Sequence, residues 1–289
     1  MKRLILSVQL LCAMAFLGNS APIGGTRFHN EATDTIRINE MLAKANSAVA
    51  NASAEARVAY IGEMFVNTPY KSGTLEMEPE MLTVNIDEVD CTTYIDYVLA
   101  MAYTIGEGRT SWRDFIYNLQ RMRYRKGEVD GYASRLHYIS DWIVDNAYRG
   151  NLKEATQNFP AYEYQEKTLD FMTANRDKYP ALKDSTEFEK MRNAEIGYRR
   201  HRYPYLKSSR LSNKETCKSL KTGDVVCITT RTPGLDVQHM GIIVKKDGVP
   251  YLMHASSAAG AVIVDSMPLS EYLKKNRSAN GVRVVRLNQ

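Results

Sequence analysis

The sequence predicts an α+β fold, with helices gathered in its first two thirds and an antiparallel sheet in its last third. Three observations carry this. Up to about residue 200 apolar residues recur at helical spacing, as in Val58, Ile61, Met64 and Phe65. From Gly223 onward the period changes to short Val- and Ile-rich runs separated by turn signals, among them the hairpin dipeptide Asp247-Gly248. Those runs follow one another through connections too short for parallel crossovers, which favours antiparallel pairing.

The chain opens with Met1-Lys2-Arg3, an apolar run from Leu4 to Leu17, and Gly18-Asn19-Ser20. This order reads as a secretory signal cleaved after Ser20. The run is shorter than the roughly 20 apolar residues that span a bilayer, so no stable membrane insertion is expected. Leu11 stands before Cys12, where a lipid-attachment signal wants a small residue, so a lipoprotein is not expected either. Residues 21–289 are read as a single domain. Without Lys2 and Arg3 the net charge falls from +5 to +3, too little to imply a nucleic-acid partner.

Residues 21–31 are expected to be a loose lead-in. Helices follow at 33–48 and 53–66, the second capped by Ser53 and ended by Pro69. An extended passage through Met81-Leu82-Thr83-Val84-Asn85-Ile86 leads to a helix that starts at Cys91. Residues 107–215 exceed what a crossover needs and are read as a large, mostly helical insertion, with helices at 111–125, 140–148 and 187–200. The run Arg199-Arg200-His201-Arg202 reads as a solvated basic stretch. Strands are expected at 224–230, 239–244, 250–255, 261–265 and 282–287, with a short helix at 268–275.

Cys91 heads an apolar stripe made by Ile95, Val98, Leu99 and Ala102. Asp90 is a good N-cap type, which places Cys91 in the first turn, where free amides and the helix dipole favour a thiolate. The anionic Asp90 opposes that effect. Cys217 and Cys227 are expected to remain unbridged, and no Cys-x-x-Cys or His-Glu-x-x-His pattern supports a metal site. Downstream, a loop of Lys245-Lys246-Asp247-Gly248 pairs Val244 with Val249 and so sets His239 opposite His254, with Cβ atoms roughly 5 Å apart. Cys91, His239 and His254 then have the types and the placement of a nucleophile, a base and an orienter.

The order Asn67-Thr68-Pro69-Tyr70, Asp90-Cys91, Thr222-Gly223-Asp224-Val225-Val226, His239-Met240-Gly241 and His254 resembles the NlpC-type cell-wall cysteine amidases and peptidases, which have a papain-like fold. Thr74-Leu75-Glu76, Leu136-His137-Tyr138-Ile139-Ser140-Asp141-Trp142-Ile143 and Gly234-Leu235-Asp236-Val237-Gln238-His239 resemble more closely the N-acetylmuramoyl-L-alanine amidase-like family. The likeness spans about 54–287. It implies a papain-like core, in which the cysteine helix packs on a sheet carrying both histidines, and a periplasmic peptidoglycan hydrolase acting on muropeptides without metal or cofactor. It further implies that Tyr70 and the Cys91 amide stabilise the oxyanion. Asp90, Thr92, His137, Ser140, Asp141, Asp236 and Ser256 are candidates for binding substrate. Asp96 stands where a glutamate is expected in such sequences. A γ-D-glutamyl-diaminopimelate endopeptidase would share the catalytic residues, and a noncatalytic wall-binding protein would need the Cys–His–His set to be incidental.

Overall fold

The computed structural model describes residues 25–288, so the expected signal segment and its expected cleavage point lie outside the described residues. The lead-in is less loose than expected: β1 (Arg27–Phe28) pairs in parallel with β2 (Thr83–Val84). α1 (Glu31–Val49) and α2 (Ala54–Met64) start at Asn30 and Ser53, whose side chains accept first-turn amides. α3 (Cys91–Gly106) is the central helix, buried from Thr93 through Ile105. A helix that is enclosed all round belongs inside a domain rather than on its surface. α4 (Trp112–Arg123) lies against it, tied by a buried ion pair of Asp96 and Arg123 at 2.8 Å. Arg123 also donates to the Thr83 carbonyl at 2.7 Å. One guanidinium thus joins α3, α4 and β2, and the shorter Asp96 suffices to pin the helix.

The insertion supplies α5 (Ile139–Tyr148), β3 (Leu152–Glu154), β4 (Glu163–Lys167), α6 (Phe171–Ala174), α7 (Ser185–Ile196), β5 (His201–Lys207) and α8 (Lys214–Ser219). The insertion is mostly helical, as expected, but it is not separate from the sheet. Three of its strands join the main sheet, whose order is β4-β5-β10-β6-β7-β8-β9 with β3 also on β10. The remaining members are β6 (Val225–Thr230), β7 (Val237–Lys246), β8 (Val249–Ser256), β9 (Ala261–Pro268) and β10 (Ala279–Leu287), and α9 (Leu269–Lys275) connects the last two. All pairings in this sheet are antiparallel. The expected helix at 187–200 stops at Ile196, and Arg200 takes a positive φ of 50° before His201 and Arg202 open β5. The basic run is thus half turn and half strand. β4 escaped the sequence reading because it is a polar edge strand, Glu-Tyr-Gln-Glu-Lys, with little apolar alternation.

Val225, Cys227, Met240, Ile242 and Met253 share a core with α3, whereas Val226, Ile228, Ile243 and Leu252 share another with Leu269 and Leu273 of α9. Strand alternation decides which residues face which layer. Cys91, Cys217 and Cys227 are all free.

The β7–β8 hairpin departs from the expected register by two residues. Lys246 pairs with Val249 and Val244 with Tyr251, so the loop is only Asp247-Gly248. Both have positive φ, 51° and 81°, as a type I′ turn requires. The four-residue loop assumed from sequence gave away two residues that the turn does not need. An even shift preserves the face of every side chain, so His239 and His254 still meet, but diagonally.

Candidate active site

Asp90 caps α3 with its own carboxylate: Oδ1 accepts the amides of Thr92 and Thr93 at 3.0 and 2.8 Å, and the Asp90 amide donates to Thr93 Oγ1 at 2.8 Å. This reciprocal pair fixes the first turn and with it Cys91. The Cys91 thiol lies 3.9 Å from Thr92 Oγ1 and receives the backbone amide of Met240, the residue after His239. Among the described residues it makes no hydrogen bond to the His239 ring.

His239 Nε2 and His254 Nδ1 are 2.6 Å apart, with the rings nearly perpendicular at 84°. His254 thus holds the ε nitrogen of His239 and leaves its δ nitrogen on the other side of the ring. The β7–β8 ladder ends at Ile242 and Met253, so both histidines lie beyond its last pair. A bulge in β7, where Ile228 pairs with His239 but Thr229 with Val237, gives the strand an extra residue at Gln238. His254 alternates with Met253 and Ala255 of the α3 core and so belongs to the α9 layer, where Tyr272 meets its ring edge-on at 5.4 Å. Tyr272 also stacks 6.4 Å from His239. α3 packs on the strands that carry both histidines, as expected, and the imidazole pair itself is set against α9.

The electrostatics favour the neutral forms of the Cys91 thiol and the His239 imidazole. Burial, reinforced by Asp90, pushes the Cys91 thiol up to about 11, against the opposing amide of Met240. Burial and the neighbouring His254 hold His239 down to about 3. The helix start therefore does not yield the depressed thiol that the sequence suggested: desolvation and the capping anion outweigh the helix dipole. Near neutral pH the groups stand as thiol and imidazole.

A polar cleft of ≈ 170 Å³ opens beside this point, lined by Glu76, Asp90, Thr92, Asp96, Arg123, Arg135, His137 and Trp142 among others. A second cavity of ≈ 290 Å³ shares Glu76 with it and is walled by Glu78, Glu80, Tyr132, Pro180 and Glu187. Tyr70, bridged to Val89, has its hydroxyl pushed up by burial and by the nearby Cys91 and Asp90. His137 donates Nε2–H to the Tyr132 carbonyl at 2.9 Å and is held well below the usual imidazole range by burial and by Arg135.

Four of the proposed substrate contacts are committed elsewhere. Asp236 is fully buried and accepts the Ser140 and Val237 amides, capping α5 from a distant loop. Ser140 accepts from Arg283 Nη1 at 2.7 Å. Asp141 is held by Arg125 at 2.6 Å and by the Tyr198 hydroxyl at 2.7 Å. Ser256 Oγ accepts the Ala259 amide in the β8–β9 turn. Each is a fold contact, because its polar atoms have partners within the protein.

Asp265 and Tyr272 were missed. Asp265 Oδ2 lies 3.6 Å from His254 Nε2. The signal was an acid ending the apolar run Ala261-Val262-Ile263-Val264, two residues from the partner of His254, Ile263. Tyr272 left no such trace, since a tyrosine on a short amphipathic helix reads as packing. Among the described residues no group of His, Cys, Asp and Glu is arranged to hold a metal ion, and no helix is long and apolar enough to cross a membrane.

No curated protein matches the chain. Among solved structures, an N-acetylmuramoyl-L-alanine amidase from Bacteroides uniformis matches with 38% identity and a TM-score of 0.76, over 82% of this chain and 99% of that one. A candidate xylanase from Bacteroides fragilis matches with 42% identity and a TM-score of 0.72, over 78% of this chain and 98% of that one. A Legionella pneumophila protein, 22% identical with a TM-score of 0.69 over 89% and 95% of the two chains, shares the fold. The family model described as N-acetylmuramoyl-L-alanine amidase-like covers residues 60–282, from within α2 to within β10, and the chain belongs to that family.

Proposed function

We propose that the chain is a cysteine-dependent N-acetylmuramoyl-L-alanine amidase of NlpC-type, papain-like descent, exported through residues 1–20 to the periplasm, which cuts the amide between muramic acid and the stem peptide of soluble muropeptides. The observation that carries this reading is the 2.6 Å contact of His239 with His254, adjacent along β7 to the amide that meets the Cys91 thiol. Family membership supports the substrate class. The small size of the two cavities that share Glu76 supports a fragment over a polymer.

In this mechanism bound substrate draws the thiol from Thr92 toward the imidazole, a closure typical of catalytic hydrogen bonds that are long in the free enzyme. His239 Nδ1 takes the thiol proton as sulfur attacks the amide carbon. The same proton then goes to the leaving amine, and water releases the acyl group. The Cys91 amide and the Tyr70 hydroxyl stabilise the oxyanion, an effect worth about 3 kcal/mol per donor. The wall from Gly131 to His137 shapes the leaving or acyl side of the cleft.

A glycosidase needs two carboxylates free to flank one bond. Here Asp96 is paired with Arg123 and Glu76 with Arg135, which favours amide chemistry. Mass spectrometry of the products from defined muropeptides tests the assignment. Free disaccharide with an intact stem peptide is expected. A shortened stem peptide would select the γ-D-glutamyl-diaminopimelate endopeptidase, and unchanged muropeptide would leave only a binding role.

A further inference from the structure

His254 is 2% exposed, and its Nε2 makes no hydrogen bond among the described residues. The carboxylate it faces is aimed by the backbone. β8 and β9 pair regularly from Ser256–Ala261 to Met253–Val264, and then the register slips so that Tyr251 meets Pro268. Asp265 opens that irregularity, and as the second residue after Ile263, the partner of His254, it lies on the same face of the sheet as the histidine. Its Oδ1 accepts the Met267 amide at 2.8 Å, and its Oδ2 lies 3.6 Å from His254 Nε2.

We propose that Asp265 is a positioning residue that selects the tautomers of the His254–His239 pair and so leaves His239 Nδ1 as the base nitrogen for Cys91. The argument is one of proton count. A neutral imidazole carries one N–H. With that proton on His254 Nε2, it points at the carboxylate, and Nδ1 is left as an acceptor. His239 must then donate from Nε2 across the 2.6 Å contact, so its lone pair is on Nδ1. The opposite arrangement would set a nitrogen lone pair against the Asp265 carboxylate. As the S–H bond breaks and a proton arrives on His239 Nδ1, positive charge spreads over the pair toward Asp265, which takes no proton itself. Burial holds His254 below the usual imidazole range, and Asp265 opposes that shift. Asp265 from β9 and Tyr272 from α9 face the pair, and Cys91 from the start of α3 lies near enough to Tyr272 to act on its hydroxyl. The Tyr272 hydroxyl is raised by burial and by both of the others, so within that circle Asp265 is the source of negative charge nearest His254.

The kinetic part of this proposal rests on the amidase reading; the tautomer part does not. The full chain labelled with ¹⁵N-histidine reports which ring nitrogen carries each proton through two-bond ¹H–¹⁵N correlation, with His239→Ala and His254→Ala assigning the signals. Both residues are expected as Nε2–H in the parent. Asp265→Ala is expected to yield mixed tautomers and a kcat lower by roughly 10- to 100-fold, as for removal of an orienting partner, with KM unchanged. Asp265→Asn retains an acceptor and so the tautomers. It loses the charge that favours the protonated pair, so the acid limb of kcat/KM moves to lower pH. Unaltered tautomers in Asp265→Ala, or loss of activity in both variants that merely tracks a lower melting temperature with an unmoved pH profile, would overturn the proposal. Should Cys91→Ala keep its turnover, the amidase mechanism falls while the tautomer measurement still decides the role of Asp265.

Discussion

α3 and α5 both begin at a carboxylate in the same half of the molecule, yet the two caps come from opposite ends of the range of sequence separation. Asp90 immediately precedes α3 and closes a capping box with Thr93. α5 has no cap from its own Tyr138, and its Ser140 amide is taken by Asp236, 96 residues away. The local cap leaves a partly exposed anion beside Cys91, where it raises the thiol pKa. The remote cap is fully buried, with both oxygens committed to backbone amides, and serves to fasten the insertion to the sheet. A polar residue in the first turn of a helix is thus no evidence of chemistry until the destination of its cap is known.

The comparison breaks most visibly at the two first-turn side chains themselves. Cys91→Ala is expected to lower turnover by roughly 10⁴-fold or more while the melting temperature barely moves. Ser140→Ala, which strips Arg283 of a buried acceptor, should cost about 1–2 kcal/mol of stability and leave turnover of the folded enzyme intact. Product mass spectrometry and denaturant unfolding together separate them, and equal losses of turnover would place Ser140 in the site after all.

At the caps the order of effects reverses. Asp236→Ala strands two amides and should cost about 2–3 kcal/mol, against about 1 kcal/mol for Asp90→Ala. Urea midpoints at constant m-value measure both. A remote tie worth no more than the local one would mean that the insertion is held mainly by packing.

The smallest effect sharpens the electrostatic half of the contrast. Because the Cys91 thiol is raised to about 11, its thiolate is the minor form at lower pH. Iodoacetamide labelling of Cys91, located by peptide mapping, should therefore climb about tenfold per pH unit through neutrality. In Asp90→Asn the amide still caps the helix, but the charge opposing the thiolate is gone, so the whole curve should move to lower pH. Labelling that is flat from pH 5 to 9 would indicate a preformed thiolate–imidazolium pair instead.

The same contrast explains what the sequence made legible. Asp90 and Ser53 were readable as caps because each acts on amides two or three residues ahead. The α+β class and strands β6 to β10 were readable from period. The partners of Ser140, Asp141 and Asp236 depend on contacts between distant segments, which one sequence without pairings does not reveal. The hairpin shows an intermediate case. Its face was readable because alternation survives an even slip, whereas its register depended on whether Lys245 and Lys246 lay in the turn or the ladder. Asp265 was hidden for a similar reason, since its place beside His254 depends on the β8–β9 register.

β10 follows every other strand of its sheet along the chain, yet lies between β5 and β6 and also receives β3. During synthesis the strands on either side of it have no partner along those edges until residues 279–287 emerge, and Arg283, which binds Ser140 and Glu154 across the sheet, emerges with them. Closure of the domain is therefore a late event of high contact order. Until then the nascent chain presents unpaired edges on both sides of the gap, which makes incomplete chains liable to misassociate.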